Sequence, residues 1–308
     1  MTNNSNGFAA RIAPAVGGFR VVQGRRVFVH RVGSGGPAVV FLPGASAVGL
    51  DYLVVQEQVS LFTTAVVYDR GGTGYSDAVA LPRSAEAVAV ELRELLRLEN
   101  IDGPYVLAAH SLGGLYAHRF AQLFPGDVAG LIWLDGLHQD WDEFMPAAVS
   151  LAAAEQAAPD GEEFEQLRPG LREMHAELLA DYPEWMREPL IEAKVSDEWI
   201  RSGFAERRRL AEIADELRAG PRIPDVPVVA LSVLGSDPTS RALMSQEMRD
   251  GRTRMDAALV SGFSRGEQRI VHDTLHHRLC FDRPDAVVQA IRDVVDRAAR
   301  PWTRRDRR

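Results

Sequence analysis

One cysteine in 308 residues, Cys280, leaves the chain without a disulfide framework and without a cluster able to hold structural zinc or an iron–sulfur centre. A reducing, cytoplasmic setting is the expectation that follows. No run approaches eighteen consecutive apolar residues, so no membrane insertion is expected. The opening stretch MTNNSNGFAARIAPAV lacks the basic segment and apolar core of a secretory signal. Basic side chains are in deficit, 35 against 43 acidic ones for a net charge of −8, and no basic stripe runs through the body of the chain. Nucleic acid is therefore not an expected partner. Arg300, Arg304, Arg305, Arg307 and Arg308 read as a solvated terminus rather than a binding patch. No internal repeat or low-complexity tract is present, which excludes solenoid and propeller architectures.

Length and a regular alternation are what the chain does have. It can bury about three quarters of its unfolded surface, enough for one large domain with an elaboration around a site. Val21 to Gln23 and Val27 to Val32 flank Gly24 as a hairpin and end at the turn Gly33-Ser34-Gly35-Gly36-Pro37. Ala38 to Leu42, Ala65 to Tyr68, Tyr105 to Ala109, Val128 to Leu134 and Val228 to Leu234 are continuous apolar runs without polar alternation. Such runs mark strands covered on both faces of a parallel sheet. Helical periodicity lies between them: Ser84 can cap a segment with Val88, Leu92 and Leu95 on one face, and Pro284 opens another with Val287, Ile291, Val294 and Val295. The order predicts an α/β fold, a mostly parallel twisted sheet flanked by helices. Residues 1–136 and 223–308 form this core, with about eighteen N-terminal and eight C-terminal residues expected to be flexible. Residues 137–222, rich in Ala, Glu and Leu, read as a helical insertion capping the sheet.

Ligands of an open parallel sheet gather beyond the carboxyl ends of its strands. There stands His110-Ser111-Leu112-Gly113-Gly114, a serine between a strand and the helical pattern Leu115 to Phe124, with small residues two before (Ala109) and two after (Gly113). That is the setting of a nucleophile elbow, and it outweighs the plainer reading of Ser111 as a helix cap. A serine hydroxyl needs a base, itself oriented by a carboxylate. The base is sought in the pair His276-His277 before the last helix. The carboxylate is Asp237, in Gly235-Ser236-Asp237-Pro238, or Asp135, in Trp133-Leu134-Asp135-Gly136. A developing oxyanion needs donors, for which the N–H groups of Leu112 and of Ala45, in the small-residue loop Pro43-Gly44-Ala45-Ser46-Ala47, are the candidates. Gly44 and His110 border the nucleophile as candidate substrate contacts. Trp141 and Phe144, the aromatics of the insertion nearest a strand end, are candidates to line an apolar pocket. No metal or cofactor is implied. His118, His138, His175 and His272 show no ligand spacing, and Gly71-Gly72-Thr73-Gly74 lacks the third glycine of a dinucleotide loop.

These motifs resemble the α/β-hydrolase superfamily over nearly the whole chain, from about Val21 to Ala299. The carriers are Phe41-Leu42-Pro43-Gly44, where the family usually has His-Gly, Asp69-Arg70-Gly71-Gly72-Thr73-Gly74-Tyr75-Ser76, the elbow, and Asp282-Arg283-Pro284. The resemblance implies a capped, carboxylesterase-like serine hydrolase cleaving an ester, thioester, lactone or amide of a small to medium apolar substrate through an acyl-enzyme. It places the catalytic histidine seven residues before Pro284, at His277, with His276 the alternative at eight. Asp237 is taken ahead of Asp135 as the acid, and Asp69-Arg70 as loop-fixing. A serine at the elbow points away from the superfamily's dehalogenases and epoxide hydrolases, which carry a carboxylate there. Acyl transfer, C–C hydrolysis and cofactor-free haloperoxidation on the same triad are the alternatives, as is a non-catalytic ligand receptor. A small-molecule substrate is the expected partner, on a monomer or homodimer.

Overall fold

The computed structural model describes residues 13–154, 161–235 and 245–299. β1 (Gly18–Val22) and β2 (Arg25–Val32) form the expected hairpin. β3 (Val39–Leu42), β4 (Ala65–Tyr68), β5 (Tyr105–His110), β6 (Val128–Leu134) and β7 (Val228–Val233) fall within a residue of the apolar runs. A further strand, β8 (Gly266–Val271), was not foreseen. Its residues Gly-Glu-Gln-Arg-Ile-Val carry three polar side chains in a row and only Val271 is buried, because β8 is an edge strand. The eight strands lie in the order β1-β2-β4-β3-β5-β6-β7-β8, with β2 antiparallel to both neighbours and the rest parallel.

Period-two burial gives the sheet two cores. α1 (Leu53–Ser60) packs on one face, α2 (Ala85–Leu98) and α3 (Gly113–Leu123) on the other. Ser84 caps α2 as expected, its hydroxyl accepting the Ala87 N–H at 3.2 Å, and Val88, Leu92 and Leu95 are fully buried. Between β6 and β7 run α4 (Trp141–Phe144), α5 (Gly161–Leu178), α6 (Glu184–Lys194), α7 (Asp197–Ala205) and α8 (Leu210–Arg218), with no strand among the described residues of this segment. Leu210, Ile213 and Leu217 of α8 join the α2–α3 core, while Met186, Leu190 and Ile191 of α6 bury against Leu50 and Leu53. The segment is thus seated by apolar contact at two places. α9 (Gln246–Ser261) precedes β8, and α10 (Leu279–Asp282) leads into α11 (Pro284–Ala299), which covers the α1 face with Val287, Ile291 and Val294. Among the described residues no helix is long and apolar enough to cross a membrane.

Candidate active site

Parallel register brings three strand ends together. Leu42 of β3 pairs Ala109 of β5, and His110 pairs Leu134 of β6, so residues 43–47, Ser111 and Asp135 emerge side by side. Ser111 sits at φ +51°, a left-handed conformation that costs a non-glycine residue about 1–2 kcal/mol. The turn folds α3 back so tightly that a Cβ on Gly113 would lie 2.1 Å from the Leu42 carbonyl oxygen, which explains glycine there. Asp135 at φ +48° and Ser46 at φ +64° share the strained conformation.

The structure differs from the expected order at the base. Among the described residues it is His276, the alternative, whose hydrogen bond to a carboxylate is seen: its Nδ1 meets Asp135 Oδ2 at 2.5 Å. His277 is exposed and contributes to the cavity wall instead. Asp237 lies outside the described residues. Asp135 is buried; its Oδ1 accepts the Val233 N–H at 2.9 Å and is ion-paired at 2.6 Å with Arg252 of α9, itself buried. Burial opposes the Asp135 charge, but Arg252, His276 and the Val233 N–H together hold its carboxyl well below the usual carboxylate range. Arg252 also faces Asp256, whose Oδ2 accepts the Ser232 hydroxyl at 2.6 Å. Sequence reasoning missed Arg252 entirely.

Arg70 shapes the 43–47 loop. Fully buried, it donates to the carbonyls of Pro43 at 2.7 Å and Gly44 at 2.8 Å, and pairs at 2.5 Å with Glu206, whose other oxygen accepts the Ser46 N–H. Proline at position 43 is no handicap here, because the loop is held by its carbonyls. Asp69 likewise fixes its neighbours, accepting the N–H groups of Gly49 and Tyr75. The N–H groups of Ala45 and Leu112 have no acceptor among the described residues, and both residues line the same cavity.

His110 joins the 43–47 loop to the His276 turn. Burial, with His276 beside it, pushes its pKa down to about 3, so the ring is neutral and its hydrogen bonds assign the tautomer. The Gly44 N–H donates to the Tyr52 hydroxyl, this hydroxyl to His110 Nδ1 at 2.9 Å, and His110 Nε2–H to the His276 carbonyl at 3.0 Å. His118, His138 and His175 are also depressed by burial, to about 3, 4 and 3. Between their ordinary value of 6.5 and these values the unfolded chain binds protons that the folded chain refuses. The contribution of these four rings is therefore full above pH 6.5 and falls as the pH drops towards 4, outweighing the opposite trend of Asp69 and Asp256, whose carboxyls burial raises to about 6. Urea titrations at pH 7 and pH 5 should show a lower midpoint at pH 5; coincident curves would contradict the neutral burial of these rings.

A cavity of about 440 Å³ opens over Ser111, lined by Gly44, Ala45, His110 and Leu112 below and by Leu137, Trp141, Leu151, Met174 and Leu178 above. Trp141 is turned over it by a hydrogen bond from Nε1 to the Val149 carbonyl at 2.8 Å. Phe144 is not among the lining residues: at the far end of α4 it packs its backbone against Gly251 of α9. Three charged groups also reach the cavity, Asp51 and Lys194, ion-paired at 2.8 Å, and Arg207.

Residues 39–290 match the family model described as the alpha/beta hydrolase family. The protein YbdG of Bacillus subtilis is 30% identical over 131 residues, which are 42% of this chain and 40% of that protein. The chain spans less than half the length of the curated relatives it matches first. Among solved structures, Cfl2 from Burkholderia cenocepacia superposes with a TM-score of 0.67 at 23% identity, covering 90% of this chain and 94% of that one. A thermophilic esterase from Thermogutta terrifontis gives 0.63 at 20% identity, covering 93% and 100%. At these identities the structural likeness speaks for the fold.

Proposed function

The chain belongs to the alpha/beta hydrolase family, and from its site we propose that it is a serine hydrolase with Ser111 as nucleophile, His276 as base and Asp135 as orienting acid. The observation that carries this reading is the 2.5 Å hydrogen bond from His276 Nδ1 to a buried carboxylate on the strand end next to a left-handed serine. With Nδ1–H given to Asp135, His276 has Nε2 as its basic nitrogen. It accepts the Ser111 proton as Oγ attacks the carbonyl, and the Asp135 charge stabilises the imidazolium. The Ser111–His276 hydrogen bond is made when substrate is in place. The Leu112 and Ala45 N–H groups, which have no acceptor among the described residues, receive the oxyanion, a contribution of about 100- to 1,000-fold per donor. The imidazolium then protonates the leaving group, and water activated by the same nitrogen releases the acyl group.

The substrate class is an ester, thioester, lactone or amide with an acyl chain small enough for the cavity, and the helical segment from α4 to α8 serves as the cap that excludes water. Incubation with a fluorophosphonate followed by intact-mass measurement tests the nucleophile. One adduct is expected on the wild type and none on Ser111→Ala. A folded wild type that takes no adduct would sink the proposal in favour of a ligand receptor.

A further inference from the structure

The charges around the cavity do not balance, and the imbalance is local. Lys194 has Asp51, and Arg70 has Glu206. Arg207, which also lines the cavity, has no carboxylate within ion-pair distance among the described residues. Its Nη1 donates to the Ser46 hydroxyl at 2.9 Å and to the Gly203 carbonyl at 2.7 Å, while Nε and Nη2 make no hydrogen bond among the described residues. Glu206, the one acid whose field reaches it, is already engaged by Arg70 and the Ser46 N–H. Burial lowers the Arg207 pKa from its ordinary value and Glu206 offsets this only in part, as befits a cation short of counter-charge.

Its position gives the imbalance a chemical meaning. Ser46 follows Ala45 directly, so the guanidinium that holds the Ser46 hydroxyl stands beside the loop offering the oxyanion donor. We propose that the substrate carries a carboxylate a few bonds from its scissile carbonyl, a half-ester or half-amide of a short dicarboxylic acid, and that Arg207 binds this carboxylate through Nε and Nη2. The inference rests on the serine-hydrolase reading of the same cavity. One guanidinium edge matches a planar monoanion in a two-point fork. A phosphate dianion would need a second cation, and Lys194 is already neutralised by Asp51. The remaining wall, with Leu137, Trp141 and Met174, then takes the apolar part of the molecule.

The test measures how fast a fluorophosphonate labels Ser111 in the full chain when either monoethyl succinate or its neutral isostere, ethyl succinamate, competes for the cavity. Wild type should be half-protected by the anion at a concentration about tenfold or more below that of the amide, the factor expected of a charge-assisted hydrogen-bond pair. In Arg207→Gln the two competitors should become equivalent. Because the ratio is taken within one protein, a general change in reactivity cancels. If the variant does not fold, the wild-type ratio still decides. Equal protection by both molecules in wild type, or a preference that survives Arg207→Gln, overturns the carboxylate assignment. Absence of labelling on wild type instead removes the serine-hydrolase reading, and this inference with it.

Discussion

His276→Ala is expected to lower kcat/KM on a cleaved ester by about 1,000-fold or more, the scale of losing a triad base, while His277→Ala stays within about tenfold. The difference comes from geometry. The turn at His276–Arg278 is a 3-10 helix, in which neighbouring side chains point about 120° apart, so only one of the two adjacent rings can face Asp135. That ring is His276, at 2.5 Å, while His277 turns to the cavity wall. Asp135→Asn should cost a comparable factor by withdrawing the charge that fixes the imidazole, and it also leaves Arg252 facing no carboxylate at 2.6 Å. Parallel rate measurements on the three variants settle the roles: a His277→Ala collapse with His276→Ala near wild type would reverse the assignment.

The second large effect concerns stability. Glu206→Gln should destabilise the fold by about 3–5 kcal/mol, because it strips the counter-charge from a guanidinium that has almost no exposure. The double variant Arg70→Met with Glu206→Gln should recover part of this loss, since the fully buried guanidinium is then gone, while the Pro43 and Gly44 carbonyls stay without their donor. Chemical denaturation of the single and double variants reads both values. A Glu206→Gln protein within 1 kcal/mol of wild type would show that the pair contributes little. Fluorophosphonate labelling should slow in the single variant as well, because Glu206 accepts the Ser46 N–H and Arg70 holds the carbonyls of Pro43 and Gly44.

The parts of this molecule that sequence reveals are those whose surroundings are set by burial. β3 to β7 are apolar at almost every position because both their faces are covered, and their boundaries shift by no more than a residue. Ser111 is legible because a strand, a tight turn and a helix leave their own marks around it. β8 is not, since an edge strand with one buried residue has the composition of a loop. Charged partners are the least legible. Arg252 and Glu206 are two among many charged residues on helices, nearly all of them solvated, and only the packing of α9 and of the α7–α8 junction buries these two. The choice between His276 and His277 depends on one residue of turn geometry, which spacing to Pro284 does not resolve. Asp135 was in view because it stands one residue past a legible strand.

Among the described residues, three of the six non-glycine residues with positive φ are Ser46, Ser111 and Asp135; the two serines line one cavity and Asp135 is bonded to His276, which lines it too. Glycine at Ser46 or Ser111 would relieve about 1 kcal/mol of backbone cost per position, whereas at Asp135 it would strip the carboxylate from buried Arg252. At the two serines it would delete the proposed nucleophile and the hydroxyl that accepts from Arg207. On the proposed roles, the two serines hold a reserve of durability that the chain can release only by giving up its chemistry, and stabilising substitutions are better sought on the surfaces of α2 and α11, far from the site.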